Sequence, residues 1–326
     1  MKKTQALFSL LLIWMPAAAS AESLPTFNDT WCTRKASDIV VVETRSAEEA
    51  SFRVLDSWRG GLAEGSRLAV PGLIGSAKGR MVLFLSRQED AEQADAWRPA
   101  GHDFKTSVVW VEEGRLTSIQ QPHSRGPAYA TTLHYLASLD DLHKHVQMVL
   151  ESDRLLQAAE DAGQVEDKAA LCSRIINGAY LNKDKAVKIL AGCGEPAAAV
   201  LRAYISGVPM THQRAQAIPA FVEAGGRAVL PELAGMLADE LAYWKETAPG
   251  LEKGWWFDSG GEAWVRHSRV SQMAGVFREH RFGPARETLE QLRDLFRRTP
   301  AVEDDDRIGS IADWLDAAIA AVGERD

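Results

Sequence analysis

The chain has few cysteines, no long apolar run and no familiar catalytic signature. Its apolar run from Ala6 to Met15 is the longest, and a membrane-spanning helix needs about 20 such residues, so no span is expected. Three cysteines occur, Cys32, Cys172 and Cys193, and no Cys/His spacing matches a structural zinc site. No H-E-x-x-H is present and no G-x-S-x-G elbow, which removes the commonest zinc-protease and serine-hydrolase readings. Gly60-Gly61 and Gly225-Gly226 lack the Lys-Ser/Thr that completes a phosphate loop. Basic charge is in deficit, with 37 Lys and Arg against 45 Asp and Glu. An acidic chain repels phosphate backbones, which argues against nucleic acid as a partner. No cofactor or metal is implied. His143 and His145 stand two apart, so on a helix they diverge rather than chelate.

The first residues carry the clearest targeting signal. Lys2 and Lys3 precede the apolar run, which ends at Pro16 and a small-residue tail, Ala19-Ser20-Ala21. That order is the one a secretory signal peptide uses. Met1–Ala21 is therefore expected to be removed, and the chain is expected to be periplasmic or secreted. Glu22, not Cys, follows the expected cut, so no lipid anchor is read there. Removal takes away two lysines and no acid, leaving 35 basic against 45 acidic residues, a net charge of −10.

Two regions of different periodicity follow, giving an expected α+β chain in two domains. From Asp38 to Ile119 the runs are β-like: Ile39–Val42, Phe52-Arg53-Val54, Leu68–Val70, Met81–Leu85, and Val108–Val111 turning through Glu112-Glu113-Gly114-Arg115 into Leu116–Ile119. Breakers such as Gly60-Gly61, Gly65 and Pro71-Gly72 separate them, as in a meander or small barrel. After Ser138 the period becomes helical. Ser138 and Asp141 form a capping-box pair, and Leu142, Val146, Val149, Leu150 and Leu156 make one stripe. Further helices are expected near 167–177, 183–191, 196–206, 213–224, 230–248, 264–281, 284–298 and 306–322. The resulting division is a signal over 1–21, a β-barrel-like domain over 22–137, a connecting helix over 138–163, and a helical domain over 164–326 that folds alone. The acidic run Asp304-Asp305-Asp306 fits a helix N-terminus, where it complements the dipole.

The β region, about Ser37–Ser86, resembles the netrin-like barrel of tissue inhibitors of metalloproteinases. The resemblance rests on Ser37–Val42, Phe52-Arg53-Val54 with Trp58-Arg59-Gly60, Gly65–Val70 and Gly79–Leu85. It implies a small closed barrel. The family's inhibitory N-terminal cysteine does not carry over, because Glu22 is the expected terminus and Cys32 lies ten residues further on. The helical region, about Gln164–Val322, resembles degenerate HEAT-type repeats. The units Ala186–Ile205, Ala217–Leu233 and Met273–Phe296 each place a glycine turn between apolar helices. The resemblance implies hairpins stacked on their neighbours.

An aromatic insertion interrupts these repeats: Trp255, Trp256, Phe257 and Asp258 after Gly254, then Trp264 and Arg266. Trp and Arg dominate interface hot spots, so these six residues are the candidate partner or ligand contacts. The other reading has Trp255 and Trp256 plugging the gap between repeats. Cys172 and Cys193 fall in consecutive helices of one hairpin, and an oxidising compartment would let them pair as a disulfide. The leading function is a non-enzymatic exported interaction protein, of inhibitor or immunity type, with a protein of the cell envelope as partner. One alternative is an exported hydrolase, with its site at the junction of the domains or in the aromatic loop. Another is a glycan binder using the tryptophans.

Overall fold

The computed structural model describes residues 27–44, 51–70, 73, 79–87, 97–103, 105–120, 129–133, 136–252, 261–299, 301 and 306–323. The signal segment, Trp255, Trp256, Phe257 and Asp258 lie outside these residues. The chain divides into two compact units, Met1–Gln147 and Met148–Asp326. The division falls inside the helix that the sequence assigns to the connection.

In the first unit a short helix, α1 (Asp29–Lys35), leads into the sheet. Asn28 caps it, its side chain accepting from the Trp31 amide at 2.8 Å. Eight strands follow: β1 (Asp38–Thr44), β2 (Ser51–Arg59), β3 (Arg67–Ala69), β4 (Gly79–Arg87), β5 (Trp97–Pro99), β6 (Val108–Glu112), β7 (Arg115–Gln120) and β8 (Tyr129–Thr132). Every pairing is antiparallel, and the strand order is β3-β2-β1-β4-β6-β7-β8, with β5 on β4. The expected closed barrel is not formed among the described residues. The end strands β3 and β8 do not pair, and with three and four residues they offer few backbone groups for closure. The sheet is an open meander-like one.

Strands β1 and β4 are apolar on both faces because both faces are covered. Val40, Val42, Phe52, Val54, Met81, Leu83 and Leu85 share one core. On the other face Phe27 packs its ring 5.4 Å from that of Phe84. The turn between β6 and β7 puts Glu113 and Gly114 at φ 51° and 78°, the primed geometry that matches strand twist.

The second unit is helical. α2 (Leu139–Asp161) begins in the first unit, where Ser138 and Asp141 make the expected capping pair: the Asp141 amide donates to Ser138 Oγ at 3.1 Å. Then come α3 (Val165–Asn177), α4 (Lys183–Ala191), α5 (Glu195–Ile205), α6 (His212–Gln216), α7 (Ile218–Gly225), α8 (Leu230–Thr247), α9 (Glu262–His280), α10 (Arg286–Arg298) and α11 (Asp306–Gly323). A single helix is expected over 213–224. It splits at Ala217 because Pro219 has no amide to continue the ladder.

These helices form two rows. α3 packs on α4, α5 on α7, α8 on α9, and α10 on α11. Along one row α4 meets α7, α7 meets α9, and α9 meets α11. Along the other, α3 meets α5 and α8 meets α10, while Arg202 on α5 and Glu232 on α8 pair at 2.8 Å. One continuous core fills the space between the rows, with Trp244 and Phe296 edge-to-face at 5.0 Å. The second half of α2 belongs to it through Leu155, Leu156 and Ala159. Ser152 Oγ of α2 accepts from the Leu181 amide, and Asn182 donates to Asp153 at 2.7 Å.

Candidate functional site

Helix α9 carries the described part of the candidate contact set. Arg266 is committed to internal partners. Its Nη1 lies 3.3 Å from both oxygens of Glu240 on α8, and its Nε donates to Glu262 at 2.9 Å. Its guanidinium also stacks over Tyr243, 4.0 Å from the ring centre. Glu240 is fully buried and accepts from Arg269 as well, at 3.1 Å. Burial pushes the Glu240 carboxyl upward, and the two guanidiniums oppose that rise. Arg266 therefore holds α8 to α9. Trp264 is half-buried and stacks on His267, 5.8 Å between ring centres and 12° between planes.

The sequence did contain a signal for Glu240. It sits three residues after Leu237 and four before Trp244, on the apolar stripe of α8, where an acid demands a buried partner.

Among the described residues, two of the cavities of this unit lie along the row α4–α7–α9–α11, the second with α6 beside it. The first, about 450 Å³, is bounded by α7, α9 and α11. His267 and Ser271, one turn apart on α9, line it with Gln272. Burial lowers the His267 pKa to about 4, so its imidazole is neutral near pH 7. Trp314 of α11 forms another wall and is 48% exposed, with the Arg278 guanidinium 5.0 Å from its ring centre. A Cβ added at Gly275 would meet the Trp314 ring at 3.9 Å, so the glycine marks where the indole crosses α9.

The second cavity, about 840 Å³, is bounded by α4, α6 and α7. Asp184 and Lys188 of α4 face it with Gln213, Gln216 and Glu223. All five are exposed. Pro219, at the start of α7, lines both cavities. The break that Pro219 makes between α6 and α7 thus borders both spaces. Trp314 also had a sequence signal: it is an aromatic residue off the stripe formed by Ile311, Leu315 and Ile319.

The three cysteines are free and buried. The expected Cys172–Cys193 bridge is therefore not formed in this structure. Cys193 Sγ lies 3.1 Å from the Ile189 carbonyl, and burial raises the Cys172 thiol to about 11, so it stays protonated. Cys32 is likewise pushed up to about 11 by burial, with its sulfur 3.4 Å from the Thr106 carbonyl. In the first unit His143 stacks on Trp58 at 4.6 Å, and His145 lies 3.4 Å from Asp29. The two histidines diverge, as their spacing requires. Among the described residues no group of three or more His, Cys, Asp and Glu side chains is placed to hold a metal ion, and no helix is long and apolar enough to cross a membrane.

Comparison with protein-family models, curated proteins and solved structures finds no match.

Proposed function

We propose that this chain is an exported, non-enzymatic interaction protein whose helical unit, a stack of HEAT-type hairpins, receives a protein of the cell envelope. One observation carries the reading: these two cavities open along the single row α4–α7–α9–α11, and Pro219 lines both. Stacked hairpins expose one long row of helices, and such rows are the binding surfaces of repeat proteins. The lining of the larger cavity supports contact: Asp184, Lys188, Gln213, Gln216 and Glu223 are all exposed polar side chains. The order Lys2-Lys3, apolar run, Ala19-Ser20-Ala21 supports export, with a mature chain that starts at Glu22.

Site-specific photo-crosslinking in intact cells tests this. A photo-reactive residue at Gln216 or Gln272 should give a discrete adduct with an envelope protein. The same residue at Glu166, on the opposite row, should give none. Equal adducts at all three positions, or adducts only at Glu166, would overturn the reading.

A further inference from the structure

The polar groups along this row suggest what kind of chain lies there. The side chains of Ser271 and Gln272 on α9, and of Gln213 on α6, which packs against α9 beside the row, take no hydrogen bond among the described residues, and that of Gln216 on α6 meets only His212, at 3.3 Å. A carboxamide both donates and accepts, as a peptide group does. Side chains of this type can satisfy a backbone laid across them without fixing its sequence. The backbone of an extended segment must find such partners once it leaves water.

Length points the same way. Neighbouring helices pack about 8–10 Å apart, so the three steps from α4 to α11 cover about 25–30 Å. An extended chain advances about 3.4 Å per residue, so about eight residues fill that length. A single small molecule would occupy one cavity and leave the other unused. Charge selects among segments. Asp184, Glu223 and Glu279 outnumber Lys188 and Arg278 on the lining, Arg278 is drawn onto Trp314, and the whole chain carries a net charge of −8.

We infer that the row α4–α7–α9–α11 binds an extended, basic polypeptide segment of about eight residues, its backbone held by Gln213, Gln216 and Gln272. A basic side chain sits by Glu223, and an apolar or aromatic side chain enters the cavity beside Trp314. This deepens the interaction reading and rests on it.

The test uses the full mature chain and two pools of fluorescent octapeptides of random sequence, one enriched in Lys and Arg, the other in Asp and Glu. The basic pool should bind and the acidic pool should not. Sequences selected from the basic pool should lose about tenfold in affinity with Glu223→Arg and again with Gln216→Ala/Gln272→Ala. Glu166→Arg, on the opposite row, should leave affinity unchanged. Glu223 and Gln216 are exposed, and unaltered helical circular dichroism confirms that the variants fold. Binding of neither pool, preference for the acidic pool, or affinity unmoved by these changes overturns the inference. So does sedimentation showing that the row is covered by a second copy of this chain. If photo-crosslinks at Gln216 and Gln272 persist while no peptide binds, the extended-segment inference fails and the interaction reading stands.

Discussion

An alanine at Gly60 would have no room for its methyl group. The backbone there has φ +92°, and an added Cβ would fall 2.0 Å from Asp38 Oδ1. Asp38 cannot retreat, because it is buried and fixed by Ser37 at 2.8 Å and by Arg87 at 3.1 and 3.2 Å. Gly60→Ala should therefore cost about 2 kcal/mol or more in denaturant melts. Gly61→Ala, with nothing within 4 Å of its new Cβ, should cost about 0.5 kcal/mol or less. Glu240 is a second such point. Removing one member of a buried ion pair strands the others, so Glu240→Ala should lose about 3–5 kcal/mol by urea unfolding. A loss under about 1 kcal/mol would mean that water reaches the arginines. His267 gives the molecule an acid-sensitive term. Its folded pKa, about 4, is below the unfolded value of 6.5, so between these the unfolded chain binds more protons. Its contribution is complete above pH 6.5 and is lost as pH falls toward 4. Since the residue keeps some exposure to solvent, the loss should reach about 2 kcal/mol near pH 4.5. Thermal melts of the wild type should show this slope, and His267→Gln should flatten it.

At the scale of elements, local pattern reached far and then stopped for physical reasons. The alternation at Phe52 and Val54, the two-sided apolar run Met81–Leu85 and the helical stripe after Ser138 depend only on neighbours in sequence, and each became the expected strand or helix. Strands β5 and β8 were not legible. Trp97-Arg98-Pro99 and Tyr129-Ala130-Thr131-Thr132 have no periodic pattern, and pairing with β4 and β7 rather than a pattern of their own holds them extended. Closure of the sheet was misread because local pattern specifies strands and not which edges meet. The cavities were not legible: Arg266 and Trp264, picked out in the sequence, line neither of them, Glu240 meets Arg266 and Arg269, and Trp314 and Pro219 share a cavity only through packing. Helix α2 was also treated as a mere connection. Its buried Leu155 and Leu156 belong to the helical core, so a fragment starting at Gln164 lacks part of its interior. Met148–Asp326 should be at least about 3 kcal/mol more stable than Gln164–Asp326 in chemical denaturation. Equal stability would show that α2 contributes nothing to that core.

Across the whole molecule, the helical unit is organised as a line. Each hairpin in it packs on the one before and the one after, and α10 with α11 has a neighbour on one side only. In a linear array the end unit opens most easily. Amide hydrogens of α11 should therefore exchange with deuterium faster than those of α5 or α8, as mass spectrometry of peptic fragments would show. Uniform protection along the row would mean that the helices open as one block. Helix α11 also supplies Ile311 and Trp314 to the smaller cavity. An occupant of that cavity can touch Trp314 only while the last hairpin is closed. Occupancy and fraying are thus opposite sides of one equilibrium, and a ligand at a hundred times its Kd would slow α11 exchange by about two powers of ten. Time, read from deuterium uptake, would then report binding without any label on the partner.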